Sequence, residues 1–363
     1  MKTFATIIFS IFFLSLLSGC KGPALDSDSH NNSFKANHPN IFYSGRHVAD
    51  SSGHVKTWQP GQFFKIKFKG KKCEIIILDE VKYGSHHNYL HLVLNGNEKR
   101  IQLKTKRDTI LVDSGLNDSE HELIVYKATE AYIGYIELES ILCDSLLLQE
   151  PFSGPRIEFI GNSITCGTGS DPSAIPCGQA QWHDQHNSYS SYPSIITRAL
   201  GADSQLSCVS GIGLMHSCCN MEILMPTVYH SSNMLEGSPT WNFNQFTPDI
   251  ISICLGQNDG IQEEQAFVSN YKSFIKDLHE IHPDAKIILL SSPMADPALR
   301  TFQRKVLTKI ASESGTEIQM DIPIHIFEKS YVAGCDYHPD LQDHQQIAAE
   351  LLPKFQNILS NSM

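Results

Sequence analysis

The hydrophobic periodicity of this chain changes once, at Pro151-Phe152-Ser153-Gly154-Pro155, and that break constrains the fold more than any other feature. Before it lie short runs that alternate apolar and polar residues, such as Phe63-Phe64-Lys65-Ile66-Lys67-Phe68. Further runs of strand length are Cys73–Leu78, Tyr89–Leu94, Arg100–Leu103, Thr109–Val112, His121–Lys127 and Ile133–Leu138. Asn95-Gly96 closes one of them with a strong hairpin signal. Strands at this spacing, with no helical period between them, predict an antiparallel β-sandwich over residues 41–150. After the break, strands at Ile157–Ile160, Gln205–Cys208, Ile250–Leu255, Lys286–Leu290 and Glu317–Met320 alternate with helical segments. The helices fall at Pro193–Leu200, Ala266–Ile281, Leu299–Ser314 and Gln342–Leu359. Strands joined by helices of that length form a parallel sheet covered on both faces, so residues 151–363 should be a three-layer α/β/α domain.

Ahead of both domains, Lys2 and the apolar run Phe4–Leu17 have the form of an export signal. The run ends in Leu17-Ser18-Gly19-Cys20, which resembles the bacterial lipobox, in which the cysteine is acylated and becomes the mature N-terminus. The expectation is a lipoprotein signal over 1–20, a lipid anchor at Cys20, and a flexible tether over 21–40, rich in Ser, Asp, Asn, Pro and Gly. That places the protein outside the cytoplasm, periplasmic or on the cell surface. The net charge of −11 argues against nucleic acid or an anionic membrane face as a partner. Ten cysteines leave an odd number once Cys20 is set aside. Cys166 and Cys177 flank one loop and are the candidate disulfide, whereas Cys208 and Cys254 sit in apolar runs as small hydrophobes.

The chemistry-bearing residues collect at the carboxyl ends of the expected strands, where open α/β sheets bind ligands. Ile157–Ile160 runs into Gly161-Asn162-Ser163, leaving a hydroxyl at a sharp turn. Val209-Ser210-Gly211 follows the second strand, and Gly211 lets a backbone N–H approach a ligand closely. Leu255-Gly256-Gln257-Asn258 follows the third and offers a side-chain amide. Gly334-Cys335-Asp336-Tyr337-His338-Pro339 precedes the last helix; Pro339 suits a first helical turn and sets His338 at the helix entrance. A neutral imidazole is the usual base for a serine hydroxyl. Gly161-Asn162-Ser163-Ile164-Thr165 lacks the second glycine of the Gly-x-Ser-x-Gly elbow, which excludes an α/β-hydrolase site.

In this order the four segments resemble the SGNH (GDSL-type) hydrolase superfamily and, within it, carbohydrate esterase family 2, whose members place a jelly-roll sandwich before the SGNH domain. His121-Glu122-Leu123, Lys127-Ala128-Thr129-Glu130 and Pro248-Asp249-Ile250 add to the likeness. The resemblance implies a cofactor-free serine esterase that removes O-acetyl groups from acetylxylan or acetylglucomannan. Ser163 would be its nucleophile and His338 its base, with an oxyanion hole made by the N–H groups of Ser163 and Gly211 and the side chain of Asn258. Two positions depart from the superfamily. Asn162 stands where Asp is usual, and Cys335 stands three residues before the histidine, where the acid is usual. Asp336, two residues before His338, is the candidate acid; a backbone carbonyl supporting a Ser–His dyad is the alternative.

Trp241, and behind it Trp182 and Tyr229, are candidates for stacking on sugar rings, a role that competes with burial in the core. His86, His87 and His91 cluster without a carboxylate or cysteine at ligand spacing, so solvated strand-edge histidines are expected and no metal. Two other functions fit the same sequence: an SGNH esterase for a lipid, thioester or other acyl ester, and an inactive carbohydrate-binding lipoprotein.

Overall fold

The computed structural model of the chain describes residues 32–112 and 115–361; the signal segment and Cys20 lie outside them. The N-terminal domain is two antiparallel six-stranded sheets packed face to face. In Phe63–Lys69 the residues Phe64, Ile66 and Phe68 point inward and are buried, while the intervening lysines face outward. Cys73, Ile75 and Ile77 do the same from the opposing sheet, so the period-two pattern of the sequence becomes the sandwich core.

Two expectations shift. The tether does not extend to residue 40: Asn32–Lys35 pairs with Ser140–Cys143 as an edge strand, and Ala36 is fully buried behind it. Its polar composition hid this, because an edge strand is held by main-chain bonds that any residue but proline can make. The strand expected over Ile133–Leu138 starts at Ile136 and runs to Cys143, because Ala131–Ile133 is a single 3₁₀ turn closed by Gly134 at φ 107°.

The C-terminal domain is a five-stranded parallel sheet in the spatial order Asp203–Cys208, Arg156–Gly161, Ile250–Cys254, Lys286–Leu290, Ile324–His325. The chain starts in the second position and then runs outward in both directions, so the order reverses at the carboxyl end of Arg156–Gly161, which opens a crevice there. Ile157 and Phe159 face helices Tyr192–Leu200 and Leu341–Ser360 on one side. Ile160, Ile251 and Ile253 face Glu264–Ile281 and Pro297–Ile318 on the other. The domain is thus the expected α/β/α sandwich of layers. Its fifth strand differs from the sequence expectation: Glu317-Ile318 closes the preceding helix, Gln319 caps it at φ 54°, and the strand is the two-residue Ile324–His325. Ile318 and Met320 pack on the core from the helix end, so the short apolar run is satisfied without pairing.

A buried ion pair joins the two domains. Arg46 of the sandwich lies 3.2 Å from Glu158 in the first parallel strand, and both side chains are fully shielded from solvent. Arg46 also donates to the carbonyls of Tyr229 and Ser231, and Glu158 accepts from Gln205, Ser207 and Tyr229. Removing one partner strands the other charge, so Arg46→Met should lower the unfolding free energy by about 3–5 kcal/mol in urea titration. Adding Glu158→Gln should restore part of the loss.

Candidate active site

Ser163 opens a one-turn helix, Ser163–Cys166, directly after the first parallel strand. Asn162 is its N-cap, accepting the Ile164 N–H through Oδ1 at 3.1 Å, which explains why an amide serves where the superfamily has a carboxylate. A Cβ on Gly161 would lie 2.1 Å from Thr165 Oγ1, so only glycine lets the helix fold back this tightly on the strand. The turn leaves Ser163 nearly buried, and its hydroxyl lies 2.9 Å from His338 Nε2. The two residues are 175 positions apart in sequence.

The other imidazole nitrogen, Nδ1, faces the main-chain carbonyls of Cys335 at 3.3 Å and Asp336 at 3.1 Å. The Asp336 carboxylate makes neither a hydrogen bond nor an ion pair with His338, and its side chain is exposed. The geometry is therefore that of a Ser–His dyad with carbonyl support, and Asp336 contributes its backbone, not an acid. At φ 51° the Asp336 backbone turns its carbonyl inward, which leaves the side chain outward. Burial holds the His338 pKa below its ordinary 6.5, against the opposing pull of the two carbonyls and the nearby Asp336 charge. The imidazole is thus neutral, the form a general base requires, throughout the neutral range.

Ser163, Gly211 and Asn258 converge on the same strand edge. Among the described residues neither the Ser163 nor the Gly211 N–H donates to a protein group. The Gly211 carbonyl is held by the Cys218 N–H at 2.9 Å, which fixes the Gly211–Ile212 peptide. Gly211 sits at φ 81°, and a Cβ there would meet Cys218 Sγ and Met221 Sδ, each at 2.8 Å. Asn258 Nδ2 gives one hydrogen to the Ile212 carbonyl at 2.8 Å, which leaves its second free. Asp259 anchors the facing loop by accepting the N–H groups of Leu214, Met215 and His216. A hydroxyl against a neutral imidazole, with unspent donors alongside, can carry acyl transfer.

Comparison with known proteins gives the same two parts. Residues 43–151 match the carbohydrate esterase 2 N-terminal domain, and 159–317 match the GDSL-like lipase/acylhydrolase family. The chain thus carries a carbohydrate esterase 2 N-terminal domain followed by a GDSL-like lipase/acylhydrolase domain. It is 28% identical over 331 residues to the cellulase/esterase CelE of Acetivibrio thermocellus, covering 88% of this chain but 40% of that longer protein. It is 23% identical to an acetylxylan esterase / glucomannan deacetylase of Cellvibrio japonicus, over 97% of this chain and 99% of that one. A family two carbohydrate esterase from Clostridium thermocellum, solved with cellohexaose, superposes with a TM-score of 0.79 at 26% identity, covering 88% of this chain and 99% of that one.

The sandwich reaches into the site, which the sequence alone did not reveal. Glu130, in the Lys127–Glu130 stretch, is buried and accepts the Ser210 N–H at 3.0 Å and the Ser210 hydroxyl at 2.7 Å. It also takes the Thr168 hydroxyl at 3.3 Å, so one carboxylate ties the loop before Gly211 to the segment after Ser163. Burial pushes its pKa up, against the bonds from Ser210 and Thr168 and the charge of Lys127. Lys127, fully buried with its ammonium on the Thr129 and Glu130 carbonyls, is brought down to about 7 by desolvation.

Several candidates lie elsewhere. Trp241 is 3% exposed and packs near the Arg46 guanidinium, so it is a core residue of the domain junction and not a sugar platform. Tyr229 is fully buried beside it. Trp182 is 42% exposed, and Tyr337, next to His338, is 79% exposed. His87 bonds Asp79, His91 stacks on Tyr189, and His86 contacts the His183 ring, so the three share no ligand centre. Cys177 pairs with Cys335, not with Cys166, which is buried against Cys208 while Cys177 is exposed. Cys218 and Cys219 form a second disulfide, and Cys208 and Cys254 are buried free thiols.

Asp336→Asn keeps a residue that tolerates the left-handed backbone and removes only the charge. It should leave kcat within a few-fold of wild type. The acid limb of kcat/KM, already below pH 6.5 in the wild type, should move lower still, because a charge favouring the imidazolium is gone. A pH–rate profile from pH 4 to 8 checks both.

Proposed function

We propose that this chain removes O-acetyl groups from plant cell-wall polysaccharides, acetylxylan or acetylglucomannan, through an acyl-enzyme on Ser163. The observation that carries the reading is the 2.9 Å contact between Ser163 Oγ and His338 Nε2, with Nδ1 held on carbonyls. Ser163 attacks the acetyl carbonyl as its proton passes to His338. The oxyanion forms against the N–H groups of Ser163 and Gly211 and the free hydrogen of Asn258. His338 then gives its proton to the departing sugar oxygen. Water, activated by the same imidazole, releases acetate and restores the serine. The names of the relatives support a polysaccharide substrate, as do the exposed rings of Tyr337 and Trp182, since aromatic faces stack on sugars. We also propose that Cys20 carries the lipid anchor, on the strength of the Leu17–Cys20 motif.

Ser163→Ala should abolish hydrolysis of 4-nitrophenyl acetate, and a variant that keeps wild-type turnover would refute the nucleophile. Asn258→Ala should lower kcat about 10²–10³-fold, as loss of one oxyanion donor does, with unfolding unchanged. Acetate release should be faster from acetylxylan and acetylglucomannan than hydrolysis of longer acyl esters; a preference for long chains would favour a lipid or other acyl substrate. Cys20→Ser should move the expressed protein from the membrane to the soluble fraction.

A further inference from the structure

His338 takes its support from main-chain carbonyls and from no carboxylate. Its two acceptors at Nδ1 are carbonyls of Cys335 and Asp336, so the imidazole is only as well aimed as that backbone. Asp336 and Tyr337 stand at φ 51° and 59°, two successive non-glycine residues in the left-handed region. Such a conformation persists only where the surroundings over-determine it. The side chains of Asp336 and Tyr337 are exposed and supply no grip. The loop closes on itself through the Gly334 N–H on the His338 carbonyl at 2.7 Å and the His338 N–H on the Cys335 carbonyl at 3.0 Å, and Asp343 accepts the Ala333 N–H at its start. It is tied to the Gly169 segment and to the Cys177 loop through Cys335, 5% exposed, whose N–H donates to the Gly169 carbonyl at 2.9 Å and whose sulfur is bonded to Cys177. Gly169, at φ 63°, lets the loop press close: a Cβ there would lie 2.7 Å from the Cys335 carbonyl. The far end of the disulfide is itself tied down. Gln185 Nε2 lies 3.2–3.3 Å from the carbonyls of Ile175, Pro176 and Gln179, and its two hydrogens, shared among them, close the loop around Cys177.

We propose that the Cys177–Cys335 disulfide is the positioning device for the catalytic histidine, a covalent tether on the loop whose carbonyls hold the imidazole. This role rests on the Ser163–His338 reading above. The tether fixes the two carbonyls that hold the imidazole in its tautomer and orientation. It touches no substrate atom, so its loss misaims the base without removing a binding contact. It also joins the histidine loop to the segment that carries Trp182.

The test compares wild type, Cys177→Ser, Cys335→Ser and the double variant on 4-nitrophenyl acetate, each with and without dithiothreitol. Titration with a serine-reactive phosphonate expresses kcat per competent site. Cys177→Ser should lower kcat about tenfold with KM within twofold. Cys335→Ser and the double variant should match it, since both remove the same bond. Reduced wild type should fall to the same level and recover on reoxidation, and Cys177→Ser should not respond to reductant. Wild-type kcat in Cys177→Ser would overturn the proposal. So would a loss confined to the titrated fraction, which marks a general folding role, or a continued response of Cys177→Ser to dithiothreitol, which assigns the effect to Cys218–Cys219. Should Cys177→Ser not fold, reduction and reoxidation of the wild type decide the same question: kcat per site that is unchanged by reduction overturns the tether. Ser163→Ala separates the two layers: if it stays active the dyad itself is wrong, whereas an inactive Ser163→Ala beside a fully active Cys177→Ser removes only the tether.

Discussion

Arg46 and Glu158 meet where no water reaches either, and the relation of the two domains depends on their staying together. A charge left alone at that depth has no solvent to fall back on, so the arrangement tolerates neither sliding nor opening of the junction. Close by, the same junction delivers Glu130 to Ser210 and Thr168. The sandwich is therefore more than an appended module. It closes the back of the reactive edge, and one of its carboxylates sets the loop that presents Gly211.

The reactive edge itself follows from sheet topology. The order reverses at Arg156–Gly161, so the turn after that strand is uncovered and carries Ser163, with Gly211 and Asn258 arriving from the strands on either side. His338 comes from beyond the fifth strand, on a loop whose own carbonyls face its imidazole Nδ1. A neutral acceptor supports an imidazole by orientation more than by charge. That places the demand for precision on the loop, which the backbone bond to Gly169 and the bond to Cys177 meet.

Where the sequence misled, packing was the reason. Trp241 had the composition of a ligand platform, but the Arg46 guanidinium and the junction claimed it. Ile318 and Met320 looked like strand residues, and a helix end buried them as effectively. Cys166 and Cys177 are close in the chain, but the one-turn helix after Ser163 turns Cys166 inward to Cys208. The longer sandwich strands and the parallel strands, apart from the last, were legible because their period-two or all-apolar patterns survive any tertiary context; short strands such as Asn32–Lys35, Val55–Thr57 and Ser145–Leu147 carry too few residues to show a period.

The residue types and spacing alone determined the two-domain plan, the parallel sheet after Pro155, and the nucleophile and base candidates Ser163 and His338, since these follow from local periodicity and from motifs that lie along the chain. Only the tertiary structure decided that Asp336 lends a carbonyl and not a carboxylate, that Glu130 crosses from one domain into the other's site, and that Cys335 is bonded to a residue 158 positions away. Those are questions of which way a backbone turns and what lies opposite in space. Linear spacing cannot encode them, because the partners meet only once both domains have packed.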